Sequence, residues 1–126
     1  MLDSYALLSY LKKESKYEKV KNLLSSDEFL ILMNEINLGE TFYIVAKERG
    51  LENAHYFIET ILPSLPIDHG PNIFEDVLEA AKIKANYTLS YADCFAIHTA
   101  LKEEATLVTG DPEFKKVEKI VKIDWV

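Results

Sequence analysis

Apolar residues along this chain follow two rhythms. One is the helical spacing of three and four. Ala54, Phe57, Ile58 and Ile61 share one face, as do Phe74, Val77, Leu78 and Ala81. Tyr17, Val20, Leu23 and Leu24 repeat that spacing, and residues 4–11 read as a helix before them. The other rhythm is a short unbroken apolar run. Residues 29–33 and 105–109 predict buried strands, residues 65–68 a shorter one, residues 120–125 a closing strand broken by Lys122 and Asp124, and residues 1–3 the end of a first strand. Asn37 is expected to begin a long, mostly apolar helix closed by Gly50, a glycine suited to the position after a helix end. Pro63 is expected to stop the helix carrying Ile61, and Pro71 to open the one carrying Phe74. Ser90 opens a further helix to about residue 103, and Asp111-Pro112 a short helical turn. Strands alternating with helices predict an α/β fold, a parallel sheet covered by helices on both faces. Such sheets bind ligands outside the carboxyl ends of their strands.

Four acidic residues fall at those ends. Asp3 follows the first strand and Asp111 the strand at 105–109. Glu40 and Asp93 are expected in the first turns of the helices opened by Asn37 and Ser90. Each has an ordinary explanation by itself. Asn37-x-x-Glu40 and Ser90-x-x-Asp93 both have the form of a capping box. Asp111 suits a helix N-cap, and Asp3 a turn. As a group they are harder to dismiss. Glu40 and Asp93 sit in the two most apolar helices, with no Lys or Arg close by in sequence. Carboxylates on buried helices are costly unless paired or metal-bound. Crowded like charges raise one another's pKa or recruit a cation. Oxygen ligands without a His or Cys cluster suit Mg²⁺ or Mn²⁺ rather than zinc.

Charge narrows the range of partners. The chain has 126 residues, with 14 Lys and Arg against 21 Asp and Glu, a formal net charge of −7. Bulk positive charge does not hold a polyanion here; if the chain handles nucleic acid, a bound divalent metal is the first candidate for bringing a phosphate in. Two lysine-rich stretches, residues 12–21 and 115–122, could touch phosphates, but read first as solvated helix faces. The single cysteine, Cys94, excludes a disulfide framework and reads as a core residue. No basic leader and no apolar run of roughly 18 residues is present, so the expected location is the cytoplasm, without a membrane anchor. The length suits one domain, residues 1–126.

Four segments carry a resemblance. They are Leu2-Asp-Ser-Tyr-Ala-Leu-Leu8, Asn37-Leu-Gly-Glu-Thr-Phe-Tyr-Ile44, Ser90-Tyr-Ala-Asp-Cys-Phe-Ala-Ile97 and Leu107-Val-Thr-Gly-Asp-Pro-Glu-Phe114. In this order the chain resembles the PIN-domain family, metal-dependent nucleases that include VapC-type toxins. The resemblance implies a three-layer α/β/α sandwich with a mainly parallel sheet, and a homodimer. It implies a Mg²⁺- or Mn²⁺-dependent ribonuclease whose catalytic and metal-binding residues are Asp3, Glu40, Asp93 and Asp111. Thr109 matches the family's hydroxyl two residues before the last acid, and Thr109 and Ser4 are candidates to orient carboxylates or water. The partners implied are an RNA substrate and a cognate antitoxin protein. Only Met1 and Leu2 precede Asp3, so the first strand is expected to be short for the family. A short strand would favour the alternative of a weak or inactive domain serving RNA binding or assembly. A haloacid dehalogenase-type phosphatase is disfavoured because Tyr5 stands where a second Asp is needed.

Overall fold

The computed structural model of the protein describes residues 1–126. In chain order the elements are α1 (Ser4–Leu11), α2 (Tyr17–Ser25), β1 (Ile31–Asn34), α3 (Glu35–Arg49) and α4 (Leu51–Tyr56). A π-helical turn (Phe57–Ile61) then leads into α5 (Leu62–Ser64), β2 (Ile67–Gly70), α6 (Phe74–Asn86) and α7 (Tyr91–Lys102). β3 (Leu107–Thr109), a 3₁₀ segment (Pro112–Val117) and β4 (Ile123–Trp125) complete the chain.

The strands run parallel. Ile31 of β1 stands opposite Ile67 of β2, and Leu107 of β3 opposite Ile123 of β4. Residues 1–3 join the two pairs. The Leu2 amide donates to the Leu32 carbonyl at 2.8 Å, and the Val108 amide to the Met1 carbonyl at 2.8 Å. The Asp3 amide donates to the Val108 carbonyl at 3.2 Å, and Leu2 bridges Val108 in parallel. The order is therefore β2, β1, residues 1–3, β3, β4, with a segment of only three residues at the centre. Short as it is, that segment is firmly held, because its neighbours bond it from both sides and Met1, Leu2 and Asp3 are all buried.

Alternation along the strands divides the core in two. Met1 and Leu107 face a cluster with Phe95, Ile97, Phe114 and Val117. Leu2 and Val108 face the opposite cluster, with Leu7, Val20, Met33 and Phe57. These are the two helical layers expected around the sheet, and Cys94 lies buried in the first.

Several boundaries differ from the sequence reading. Asn34, not Asn37, caps α3: its Oδ1 accepts from the Asn37 amide at 2.8 Å, so Glu35 opens the helix and Glu40 falls in its second turn. Pro71 lies outside α6, which is started instead by the Ile73 amide donating to Asp76 Oδ2 at 2.9 Å. The helix carrying Ile61 runs past Pro63 to Ser64, because the π-helical turn relaxes the backbone ladder that proline cannot join. α3 is also less covered than its composition suggests. Only Asn37, Leu38 and Thr41 are buried, and Ile36 and Tyr43 face outward.

Candidate active site

All four selected carboxylates stand on residues at the carboxyl edge of the sheet. Asp3 ends the central segment and caps α1, its Oδ1 accepting from the Ala6 amide at 2.8 Å. Only 2% of its surface is exposed. Asp111 follows β3 and caps the 3₁₀ segment, accepting from the Glu113 amide at 3.0 Å. The Asp111 amide in turn donates to the Thr109 hydroxyl at 3.1 Å. Asp93 lies in the first turn of α7, where its amide donates to the hydroxyl of the N-cap Ser90 at 3.1 Å. Glu40 reaches this edge from α3 and accepts a hydrogen bond from the buried Ser4 hydroxyl.

The capping readings therefore hold for Asp111 and for Ser90 and fail for Asn37-Glu40, while Asp3, read as a turn residue, caps α1. Capping does not account for the charge. None of the four carboxylates takes part in an ion pair. Burial pushes the Asp3 carboxyl up to about 7, helped by the nearby charges of Asp93 and Asp111. Hydrogen bonds from Thr109 and the Ala6 amide only partly offset this. Burial likewise pushes Asp93 up to about 6, with Asp111 and Glu40 adding to the rise and Ser90 opposing it. These mutual influences tie Asp3 to Asp93 and Asp111, and Asp93 to Asp111 and Glu40. They place all four in one electrostatic neighbourhood. The carboxylates are nevertheless not drawn into a closed cage: no three His, Cys, Asp or Glu side chains are gathered tightly enough to hold an ion.

Comparison with known proteins bears on this arrangement. The family model of the PIN domain matches residues 1–120. The chain belongs to the PIN domain family. No curated protein matches the sequence. Among solved structures, this PIN domain is similar to VapBC2 from Rickettsia felis bound to a promoter DNA fragment. The TM-score is 0.75 at 20% identity, over 100% of this chain and 98% of that one. It is also similar to VapC20 from Mycobacterium tuberculosis, a sarcin–ricin loop cleaving toxin, with TM-score 0.76 at 15% identity over 91% and 92% of the two chains. VapBC-1 from nontypeable Haemophilus influenzae gives 0.70 at 21% identity, over 99% and 96%.

Three features of the PIN domain escaped the sequence reading. Asn37 is 1% exposed; its side-chain Nδ2 donates to the Ala92 carbonyl at 3.1 Å, tying α3 to the first turn of α7 beside Asp93. Its Oδ1 has no partner. Asp76, on α6, is a second buried carboxylate, bonded to His98 Nε2 at 2.7 Å and Lys102 Nζ at 3.2 Å. His98 thus turns away from Asp93, as its five-residue offset on α7 predicts. Lys84 lines a groove walled on one side by Asp93. Buried polar groups demand partners, so a signal for Asp76 existed in the acid at the third position of α6. Nothing local pointed to His98 as its partner.

Proposed function

We propose that this single PIN domain is a metal-dependent endoribonuclease, the toxin of a toxin–antitoxin pair, hydrolysing RNA phosphodiester bonds. The observation that carries the reading is the group of four carboxylates without a cation, two of them raised toward neutrality, at the carboxyl edge of a parallel sheet. The donor set fits a hard divalent ion: oxygen ligands alone, one of them almost fully buried and uncompensated. Asp3, Glu40, Asp93 and Asp111 would hold Mg²⁺ or Mn²⁺. When bound, the ion supplies an activated water and offsets the charge developing on the phosphate.

The chain's own residues prepare the site. Asp3 is fixed by its cap on α1, and the Thr109 hydroxyl ties Asp3 to the Asp111 backbone. Ser4 orients the Glu40 carboxylate. Ser90 restrains Asp93. No side-chain nucleophile is needed. The alternative, a PIN domain that binds without cutting, would rest on a loosely held Asp3. The hydrogen bonds on both sides of residues 1–3 speak against it.

The antitoxin reading rests on the VapBC relatives and on an apolar groove of about 240 Å³ between α1, α3, α4 and the π-helical turn. Leu11, Val45, Tyr56, Phe57 and Ile61 line it, with Lys12, Glu48 and Arg49 at its polar side. Such a groove suits the apolar face of a partner helix. A homodimer is supported by exposed apolar residues at three helix starts on the site edge: Ile36, then Ile73 with Phe74, and Tyr91. No helix is long and apolar enough to cross a membrane. The toxin reading places the protein in the cytoplasm, with its RNA.

The test is cleavage of a labelled RNA pool by purified protein with Mg²⁺ or Mn²⁺, with EDTA, and with Asp93→Asn beside the wild type. Cutting that requires metal and disappears in the variant is the expected result. Folded, antitoxin-free protein that cuts nothing would overturn the reading, and cutting that survives Asp93→Asn would overturn the site.

A further inference from the structure

A chain of net charge −7 whose candidate site is itself acidic must meet an RNA backbone with cations placed by the fold rather than by composition. The groove that Asp93 walls is formed by the end of α6 and the loop before α7. Asn86, Thr88 and Ser90 contribute neutral polar groups along it, and Glu113 also lines it. Two lysines reach the loop. Lys84 Nζ donates to the Leu89 carbonyl and Lys116 Nζ to the Thr88 carbonyl, each at 2.8 Å. These are adjacent peptide units, so both ammonium groups are anchored beside the loop that leads into Ser90, the cap of the Asp93 helix. They differ in one respect. Lys116 is paired with Glu113, whereas Lys84 forms no ion pair. An ammonium group has three donors. With one spent on Leu89, Lys84 keeps two for an anion in the groove.

We propose that this groove is the subsite for the RNA backbone flanking the reacting phosphate, with Lys84 as its cation and Asn86, Thr88 and Ser90 as neutral donors. The proposal rests on the ribonuclease reading, since it takes Asp93 as part of the reaction site. An entering phosphate competes with Glu113 for Lys116, which then adds a second, weaker contact. The contacts are to phosphate and sugar, so they position the strand without reading its sequence. Lys84 is a binding residue, and it acts on how the substrate is held rather than on the bond that breaks.

The probe is a fluorescein-labelled single-stranded RNA 12-mer of mixed sequence. Its binding to the whole chain is followed by anisotropy in EDTA, where cleavage is off, across a salt series. Each phosphate contact contributes about 0.7 to the slope of log K against log salt for single strands. Lys84→Ala is expected to weaken binding about tenfold at low salt and to lower that slope by about 0.7. Lys84→Arg should restore both. Lys82→Ala, on the same helix but paired with Glu79, should change neither. In Mg²⁺, Lys84→Ala should raise KM with kcat nearly unchanged. A wild-type slope in Lys84→Ala, or no salt-dependent binding by the wild type, overturns the subsite. The two readings fail separately. Cutting with an unchanged KM in Lys84→Ala removes the groove and leaves the nuclease. Binding that needs Lys84 without any cutting removes the nuclease and leaves the groove.

Discussion

Asp3 and Asp76 are both buried aspartates that cap the first turn of a helix, at 2% and 5% exposure. Their chemistry diverges through what surrounds them. Asp76 meets His98, the Ile73 amide and Lys102, and the His98 hydrogen bond above all holds its carboxyl down near 2. Asp3 has Thr109 and the Ala6 amide as donors but Asp93 and Asp111 as charged neighbours, and burial lifts it to about 7. Burial is the largest influence on Asp3, whereas at Asp76 the hydrogen bonds from His98 and the Ile73 amide outweigh it. At Asp76 the fold completes the pairing and α6 is tied to α7. At Asp3 the pairing is left open, which costs stability. A buried, uncompensated acid beside other acids marks function more specifically than an acid at a helix start.

The largest effect that could break this contrast is on activity. Asp3→Asn and Asp93→Asn should each lower RNA cleavage by about 10³-fold or more, measured as initial rates with Mg²⁺. Asp76→Asn, assayed well below its unfolding temperature, should stay within about threefold of wild type. An Asp76→Asn as inactive as Asp93→Asn would mean that the two regions are not separate.

Stability should move the other way. The folded Asp3 carboxyl lies above its ordinary 3.8, so the folded state keeps its proton longer. Its stabilising share is complete below about pH 4 and is lost as pH rises to about 7. Asp93 behaves alike up to about 6. In metal-free buffer at pH 8, Asp3→Asn should therefore raise unfolding free energy in urea, on the order of 2–4 kcal/mol. A destabilised Asp3→Asn would contradict the uncompensated site. Added Mg²⁺ should stabilise the wild type by about 1–3 kcal/mol at concentrations well above its dissociation constant, and Asp3→Asn by much less, read as a shift in Tm.

Asp76 carries the opposite sign. Its folded carboxyl lies below the ordinary value, so its contribution is present above about pH 4 and lost as pH falls toward 2. Asp76→Asn should cost about 1–2 kcal/mol at pH 7, discounted because Lys102 is half exposed. That cost should vanish near pH 2, and a pH-independent cost would assign it to packing instead. The smallest effect sharpens the picture at Thr109, which is fully buried. Thr109→Val should destabilise by about 1 kcal/mol and lower cleavage about tenfold. It should also push the Asp3 carboxyl higher still, a change visible by carboxyl-resolved NMR titration.

Much of the fold was legible in the chain. The two apolar rhythms located every strand and helix to within a few residues, and Gly50, Ser90 and Asp111 marked ends that the structure keeps. Errors came where two local signals competed. Asn34 and Asn37 are both good caps, and the choice fell to Asn34 because Asn37 is drawn inward to bond Ala92 on α7. Pro71 looked like a helix start, but the Asp76 carboxylate reaches back to Ile73 and begins α6 later.

The sequence by itself determined the α/β alternation, the four acids at strand ends and helix starts, and the family to which they belong. All of these rest on short-range periodicity and on motifs a few residues long. Tertiary structure alone decided which acids stay uncompensated. Asp76 and His98 are 22 residues apart, and Ser4 and Glu40 are 36 apart. Only the packing of α6 on α7, and the entry of residues 1–3 between β1 and β3, brings such groups together. Coulombic energy depends on distance in space, and the periodicity of a chain carries no record of that distance.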